Sequence, residues 1–238
     1  MNLIFVDQPA PSVSSFDCIL PERAHQHLQR IIQPKTGDTL RVGILNGSLG
    51  TATVLETSAM QTRVRVELTT LPPVKQPITL VLALPRPKML RRILSAATEL
   101  GVEQIHVIHS YRVEKSFWQS PYLRDDSIAS TILSALEQSV DTKAPRLEWH
   151  RAFKPFAQDQ LPTLVQARSR AWLADHRSEL GLDTRSKGDS ALLCIGPEGG
   201  FIDYEVELLE CAGLQKVQLG PRTLRVETAV SALLGKLI

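Results

Sequence analysis

Three short runs in the first third of the chain, residues 38–45, 51–56 and 62–68, place an apolar side chain at every second position. That is the period of a half-buried strand. Asn46-Gly47 between the first two runs is a hairpin signal. Upstream, residues 22–32 set Ala24, His27, Leu28, Ile31 and Ile32 at helical spacing, and Pro34 ends the pattern. The expectation is a small barrel-like domain with one helix.

Residues 69–77, Thr-Thr-Leu-Pro-Pro-Val-Lys-Gln-Pro, favour extended backbone and separate two different rhythms. A domain boundary is expected there, dividing residues 1–72 from residues 73–238. Beyond it, apolar runs over 78–84, 105–108, 146–149, 171–174, 191–195 and 216–219 alternate with helical patterns over 87–100, 125–140, 203–212 and from about Thr228. This alternation predicts an α/β fold with a mostly parallel sheet. The sequence contains neither an internal repeat nor a low-complexity tract. Ligands of open α/β sheets bind beyond the carboxyl ends of the strands, so the loops after strands are the first place to look for a site.

Composition adds exclusions rather than a function. With 43% hydrophobic and 22% charged residues the chain is of ordinary globular make-up, neither disordered nor fibrous. No apolar run approaches the roughly 18 residues that span a bilayer, and the first seven residues lack a basic lead and a long apolar centre. A cytoplasmic protein without a membrane partner is expected. Cys18, Cys194 and Cys211 are odd in number and lack metal-ligand spacing, so they are expected as small core residues. His25 and His27 fall on different sides of their helix, and no metal site is expected. A net charge of +2 leaves the partner open.

Two loops carry the chemistry. In Ala191-Leu-Leu-Cys-Ile-Gly-Pro-Glu-Gly-Gly-Phe201 a buried strand enters a loop of three glycines around Glu198, before a helix that Asp203 is expected to cap. A tight turn needs about one glycine, so three point to something approaching the backbone closely. The loop lacks both the Lys-Ser/Thr of a P-loop and the Gly-x-Gly-x-x-Gly order of a dinucleotide turn. After the next strand, Val217-Gln-Leu-Gly-Pro-Arg-Thr-Leu-Arg-Val-Glu-Thr-Ala229 sets Arg222, Arg225 and Glu227 before an apolar helix.

At these two segments the sequence resembles the ribosomal RNA small subunit methyltransferase E family of the SPOUT superfamily. Gly196–Phe201 and Leu219–Ala229 match its two signatures nearly residue for residue, with weaker likenesses at Ala97-Thr-Glu-Leu-Gly-Val102, Arg112 and Glu137-Gln-Ser139. The resemblance implies a PUA-like β-barrel, then a methyltransferase domain whose C-terminal segment is threaded as a deep trefoil knot. It implies S-adenosylmethionine bent inside that knot, a homodimer, and N3-methyluridine in the 16S rRNA of the small ribosomal subunit as product. Periodicity carries no sign of a knot, which topological rules exclude by default.

A cofactor of this kind needs apolar walls and main-chain hydrogen bonds, for which Ile195, Gly196, Gly199, Leu219, Gly220, Leu224 and Arg225 are the candidates. Glu198 either places charge near the sulfonium or braces its loop by accepting backbone N–H bonds. Methylation at N3 requires loss of the N3 proton, and an arginine beside the resulting anion stabilises it. Arg225 is the first candidate and Arg222 the second. Glu227 orients that arginine, relays the proton, or simply pairs with a neighbouring arginine. For RNA, Lys88, Arg91 and Arg92 concentrate charge at a helix start, against its macrodipole, so they meet a phosphate or form a solvated face. Arg112 joins them by the resemblance. In the first domain Arg23, His25, His27, Arg30, Lys35 and Arg41 form a looser basic set for rRNA.

Four positions depart from the family pattern: Asp141, where arginine is usual; Ser95, where lysine is common; and Gln33-Pro34, where Leu-Arg is usual. Asp141 and Ser95 motivate one alternative, a relative acting on another rRNA or tRNA site; a second alternative is a non-catalytic RNA-binding assembly factor. The Ala-, Val- and Leu-rich helix from Thr228 suits a subunit interface or a monomer core equally.

Overall fold

In the computed structural model, strands and helices follow one another in two units, Met1–Val74 with Leu133–Ala144, and Lys75–Ile132 with Pro145–Ile238. All residues are described except Met1, Gln8, Pro11 and 183–188.

The first unit is a five-stranded sheet of β1 (Ile4–Phe5), β2 (Ser15–Ile19), β3 (Thr39–Gly43), β4 (Leu49–Thr57) and β5 (Thr62–Thr70), in the order β1-β3-β4-β5-β2. β1 runs parallel to β3 and the other pairs are antiparallel. Asn46 turns β3 into β4 with a left-handed φ of 59°, a conformation asparagine tolerates better than most residues. Val42, Ala52, Val54, Val64 and Val66 point inward by simple alternation and form the core with Leu28 and Leu40. β1 and β2 went unread in the sequence because one is two residues long and the other buries neither face.

The expected single helix over 22–32 is α1 (Glu22–His27) followed by a π-helical turn over Leu28–Ile32, closed by Gln33 at φ 51°. The wider turn changes the phase of the apolar stripe, so Ala24 and Leu28 are buried while Ile31 and Ile32 face solvent at 67% and 48% exposure. His25 also leaves the basic set, because it is buried with Nδ1 2.9 Å from the Thr62 hydroxyl. Arg23 pairs with the buried carboxylate of Glu137 at 2.8 Å, while Arg30 and Arg41 are exposed. Asp141 is buried, and its carboxylate accepts the Lys143 N–H at 2.9 Å.

The second unit holds six strands, all paired in parallel: β6 (Gln76–Ala83), β7 (Val102–Ile108), β8 (Arg146–His150), β9 (Arg170–Ala174), β10 (Ala191–Ile195) and β11 (Gln215–Val217). Their order is β11-β9-β10-β6-β7-β8. β10 is buried along its whole length and β6 along all but its first two residues, as unbroken apolar runs require at the centre of a covered parallel sheet. The covering helices are α2 (Pro87–Glu99), the first part of α3 (Asp125–Ser139), α4 (Phe153–Pro155) leading through a π-helical turn into α5 (Leu161–Gln166), α6 (Asp203–Cys211) and α7 (Val226–Leu237). The stretch over 153–166 carries no expectation from sequence because Pro155 and Pro162 look like breakers. Pro162 instead occupies the first turn of α5, where its missing N–H costs nothing.

Several local expectations are corrected. α7 begins at Val226 rather than near Thr228. Asp203 is not the cap of α6 but its first residue, and it pairs with Arg177 at 3.0 Å. Of the three free cysteines only Cys194 is fully buried, and Cys211, on the outer face of α6, is exposed.

β7 and β8 set two histidines side by side, His106 buried and His150 partly so. His106 Nδ1 lies 3.0 Å from His150 Nε2, and the rings are nearly coplanar at 17° with centroids 5.3 Å apart. The nitrogens therefore point at each other along the line of centres, as in a shared N–H···N hydrogen bond. Burial pushes the pKa of His106 down to about 4, against the opposing charge of Glu148. A depressed histidine leaves the unfolded chain to take up the proton first, so stability falls as pH drops from 6.5 towards 4. Chemical denaturation at pH 7 and pH 5 is expected to show about 2 kcal/mol lost through this group. The difference should shrink in His106→Gln; an equal pH dependence in both proteins would contradict the assignment.

Candidate active site

Parallel strands end with their loops on one side, and in this sheet five of those loops meet. The segments after β6, β7, β9, β10 and β11 line one cavity of ≈ 1290 Å³ within the second unit. It opens where β10 stands between β6 and β9, the point at which strand order reverses and adjacent loops diverge.

Ile195, Gly196, Glu198, Gly199, Leu219, Gly220, Leu224 and Arg225 all line this cavity, together with Arg222 and Glu227. Ile195 is the buried last residue of β10, Leu219 is half-buried, and Leu224 stands 38% exposed as an apolar side chain on the wall. Gly196 lies close against the Phe201 ring, which a Cβ there would approach to 3.1 Å. Gly200 turns the loop at φ 71°, which an L side chain rarely adopts.

Glu198 lines the cavity and also makes a bracing contact. Its carboxylate accepts the Arg86 N–H at 3.0 Å, at the start of α2, where helix polarity favours negative charge. This is the bracing arrangement, and it offsets part of the cationic character of that helix start. Glu227 pairs with neither arginine: Arg222, Arg225 and Glu227 have no ion-pair partner among the described residues. Arg225 is the exposed residue preceding α7, its carbonyl accepting the Ala229 N–H at 2.8 Å.

Of the expected RNA contacts, Lys88 and Arg112 reach the cavity. Arg112 donates to the Gly199 carbonyl and lies along the glycine-rich loop. Arg92 borders a separate shallow depression with Glu227, Thr228 and Ser231, and Arg91 is exposed on α2. The lining carries six cationic side chains, Arg86, Lys88, Arg112, Arg177, Arg222 and Arg225, against the four carboxylates of Glu114, Asp175, Glu198 and Glu227. Arg177 is neutralised by Asp175 at 2.9 Å and Asp203 at 3.0 Å, so the free positive charge concentrates on the α2 start, Arg112 and the last loop.

Phe117 and Tyr122, in the 3₁₀ turns over Lys115–Gln119 and Pro121–Leu123, also line the cavity and were not singled out from sequence. Nor was Glu205, buried at the third position of α6. Its spacing from the loop is that of a capping box, but Ile202 at the cap position lacks the hydroxyl by which such a box is read. Among the described residues, the His/Cys/Asp/Glu group close enough to share a metal is His106, Glu148 and His150, which lies outside the cavity lining.

The model of an RNA methyltransferase domain matches residues 72–238. The ribosomal RNA small subunit methyltransferase E of Treponema pallidum is 30% identical over 210 residues, covering 87% of this chain and 79% of the relative. That of Mycobacterium bovis is 27% identical over 219 residues, covering 90% and 82%. Among solved structures, a ribosomal RNA small subunit methyltransferase E from Neisseria gonorrhoeae bound to S-adenosylmethionine shares the fold with a TM-score of 0.75 at 21% identity, over 99% of this chain and 95% of that one. A methyltransferase from Legionella pneumophila, also in complex with S-adenosylmethionine, aligns with a TM-score of 0.75 at 22% identity, over 98% and 95%. With a domain model spanning most of the sequence and a relative of this identity over nearly its whole length, the chain belongs to the ribosomal RNA small subunit methyltransferase E family.

Proposed function

We propose that the protein transfers a methyl group from S-adenosylmethionine to N3 of one uridine in the 16S rRNA of the small ribosomal subunit. The observation that carries this reading is that both glycine-containing signature loops, 196–201 and 219–229, line a single cavity together with unpaired Arg222, Arg225 and Glu227.

The cavity fits the cofactor chemically. Ile195, Leu219 and Leu224 offer apolar walls, and Gly196, Gly199 and Gly220 leave main-chain groups within reach. S-adenosylmethionine supplies an electrophilic methyl group on a sulfonium when bound. Arg225 stabilises the negative charge that the base acquires when its N3 proton leaves, and Arg222 extends the same field. Glu227 accepts that proton or orients Arg225. Lys88, Arg91 and Arg92 hold the RNA backbone at the cavity edge, with Arg112 inside it, and Arg23, Arg30 and Arg41 contact rRNA from the first unit.

The finer architecture belongs to the same reading. Residues 1–72 form a PUA-like RNA-binding domain, and residues 73–238 form a SPOUT domain with its C-terminal segment knotted. Support for the knot comes from β10 lying between β6 and β9, from Gln218 bonding both Leu180 and Leu182, and from α7 returning to pack on β10. The protein acts as a cytoplasmic homodimer; no helix among the described residues is long and apolar enough to cross a membrane. Asp141 does not favour a different RNA target, since its carboxylate is turned inward to a backbone N–H. The unpaired Arg225 and Glu227 weigh against a non-catalytic assembly factor.

Nucleoside analysis of small subunits methylated in vitro is expected to show N3-methyluridine; methyl on another nucleoside, or on transfer RNA, would overturn the target. Arg225→Ala should lower the single-turnover rate by about 10²-fold while leaving cofactor affinity within about threefold. Leu224→Asp should raise the cofactor Kd by about tenfold by removing an apolar contact of roughly 1.5 kcal/mol, with an unchanged melting temperature because the side chain is exposed. Neutralising Lys88, Arg91 and Arg92 together should weaken RNA binding and lower the slope of affinity against salt. An unchanged slope would make them a solvated face.

A further inference from the structure

Glu205 is 3% exposed, and each of its carboxylate oxygens has a backbone partner. Oε2 accepts the Ile202 N–H at 3.2 Å, directly after the glycine-rich loop, and Oε1 accepts the Tyr111 N–H at 2.7 Å, in the segment that follows β7. One buried carboxylate thus joins two loops whose strands are not neighbours, since β6 stands between β7 and β10.

A second tie runs between the same loops. Arg112 donates to the Gly199 carbonyl, and its Cδ lies 3.0 Å from where a Gly199 Cβ would stand. Beyond Arg112 the segment continues to Glu114, Phe117 and Tyr122, all on the cavity wall. Two aromatic rings, a guanidinium and a carboxylate are the groups that hold an unstacked base by its face and its edge.

We propose that Glu205 is a positioning residue, which fixes the 111–123 segment, as the wall that receives the target base, at a set spacing from the loop that holds the cofactor. The proposal rests on the methyl-transfer reading above. Glu205 touches neither reactant; it acts through the backbone of Tyr111 and Ile202. Methyl transfer needs the reacting atoms about 3–3.5 Å apart and aligned, and a misplacement near 1 Å costs on the order of 10²-fold in rate. Loss of the tie therefore appears in turnover and in the KM for RNA, and leaves cofactor affinity nearly untouched.

Glu205→Gln is close to isosteric but sets an amide N–H₂ against one of two N–H donors, which breaks one tie. The expected result, on small subunits lacking the modification, is a kcat lower by about 10- to 100-fold with a cofactor Kd, from calorimetry, within about threefold of the unaltered protein. Arg112→Met, which breaks the other tie, provides a second reading. Because both ties hold one segment, the kcat of the double variant at saturating RNA, where a direct RNA contact of Arg112 no longer counts, should be no more than about threefold below that of the slower single variant. Normal turnover by Glu205→Gln, fully multiplicative effects in the double variant, or cofactor affinity and melting temperature falling in parallel with turnover would each overturn the proposal. Failure of the unaltered protein to bind S-adenosylmethionine would instead overturn the underlying methyl-transfer reading, and this proposal with it.

Discussion

The insertion of β10 between β6 and β9 is the pairing on which the catalytic unit depends. It buries Ala191–Ile195 on both faces and makes the strand continuous with β6 in register from Ala191 opposite Ile78 to Ile195 opposite Leu82. It also places the glycine-rich loop at the centre of the sheet's carboxyl edge, where the chain diverges to either side and a crevice is unavoidable. β11 is forced outside β9, so the last loop must return across that edge before α7 can pack on β10 and α2. Both signature loops are thereby brought to one cavity by strand order alone.

Within that crevice the carboxylates divide by task. Glu198 and Glu205 are spent on backbone N–H groups, one at the start of α2 and one across to the segment after β7. Asp175 is spent on Arg177. Among the described residues the carboxylates of Glu114 and Glu227 have no ion-pair partner, and Glu227 stands in the loop that also carries unpaired Arg222 and Arg225. The charges of Glu198, Glu205 and Asp175 are satisfied within the fold, while Arg222, Arg225 and Glu227 are left without ion-pair partners among the described residues. The electrostatic reading of the site follows from this division rather than from the modest net charge of the chain.

Much of the fold was legible because period and punctuation agree in it. Alternation over residues 38–68, the Asn-Gly turn and the unbroken apolar runs of β6 and β10 each have one physical reading, and the structure follows them. What escaped was local geometry that period cannot encode. The π-helical turn at Leu28–Ile32 moved Ile31 and Ile32 out of the core without any change in their spacing. Pro155 and Pro162 concealed the helical stretch before β9, because a proline in the first turn of a helix looks the same in sequence as one that breaks it. At the site, the glycine-rich and Gly-Pro-Arg loops announced themselves by composition, whereas Glu205, Phe117 and Tyr122 did not. Their role depends on β7 and β10 being two strands apart in space, a relation that no local pattern contains.

The most direct test of the account is a crystal structure of the protein with S-adenosylmethionine bound. The expected result is the cofactor in the cavity at the carboxyl edge of the sheet, its adenine against Leu219 and Leu224 and its methyl group facing Arg225 and the 111–123 segment. A cofactor bound elsewhere, or in that cavity with its methyl group turned away from both, would contradict the assignment of the site.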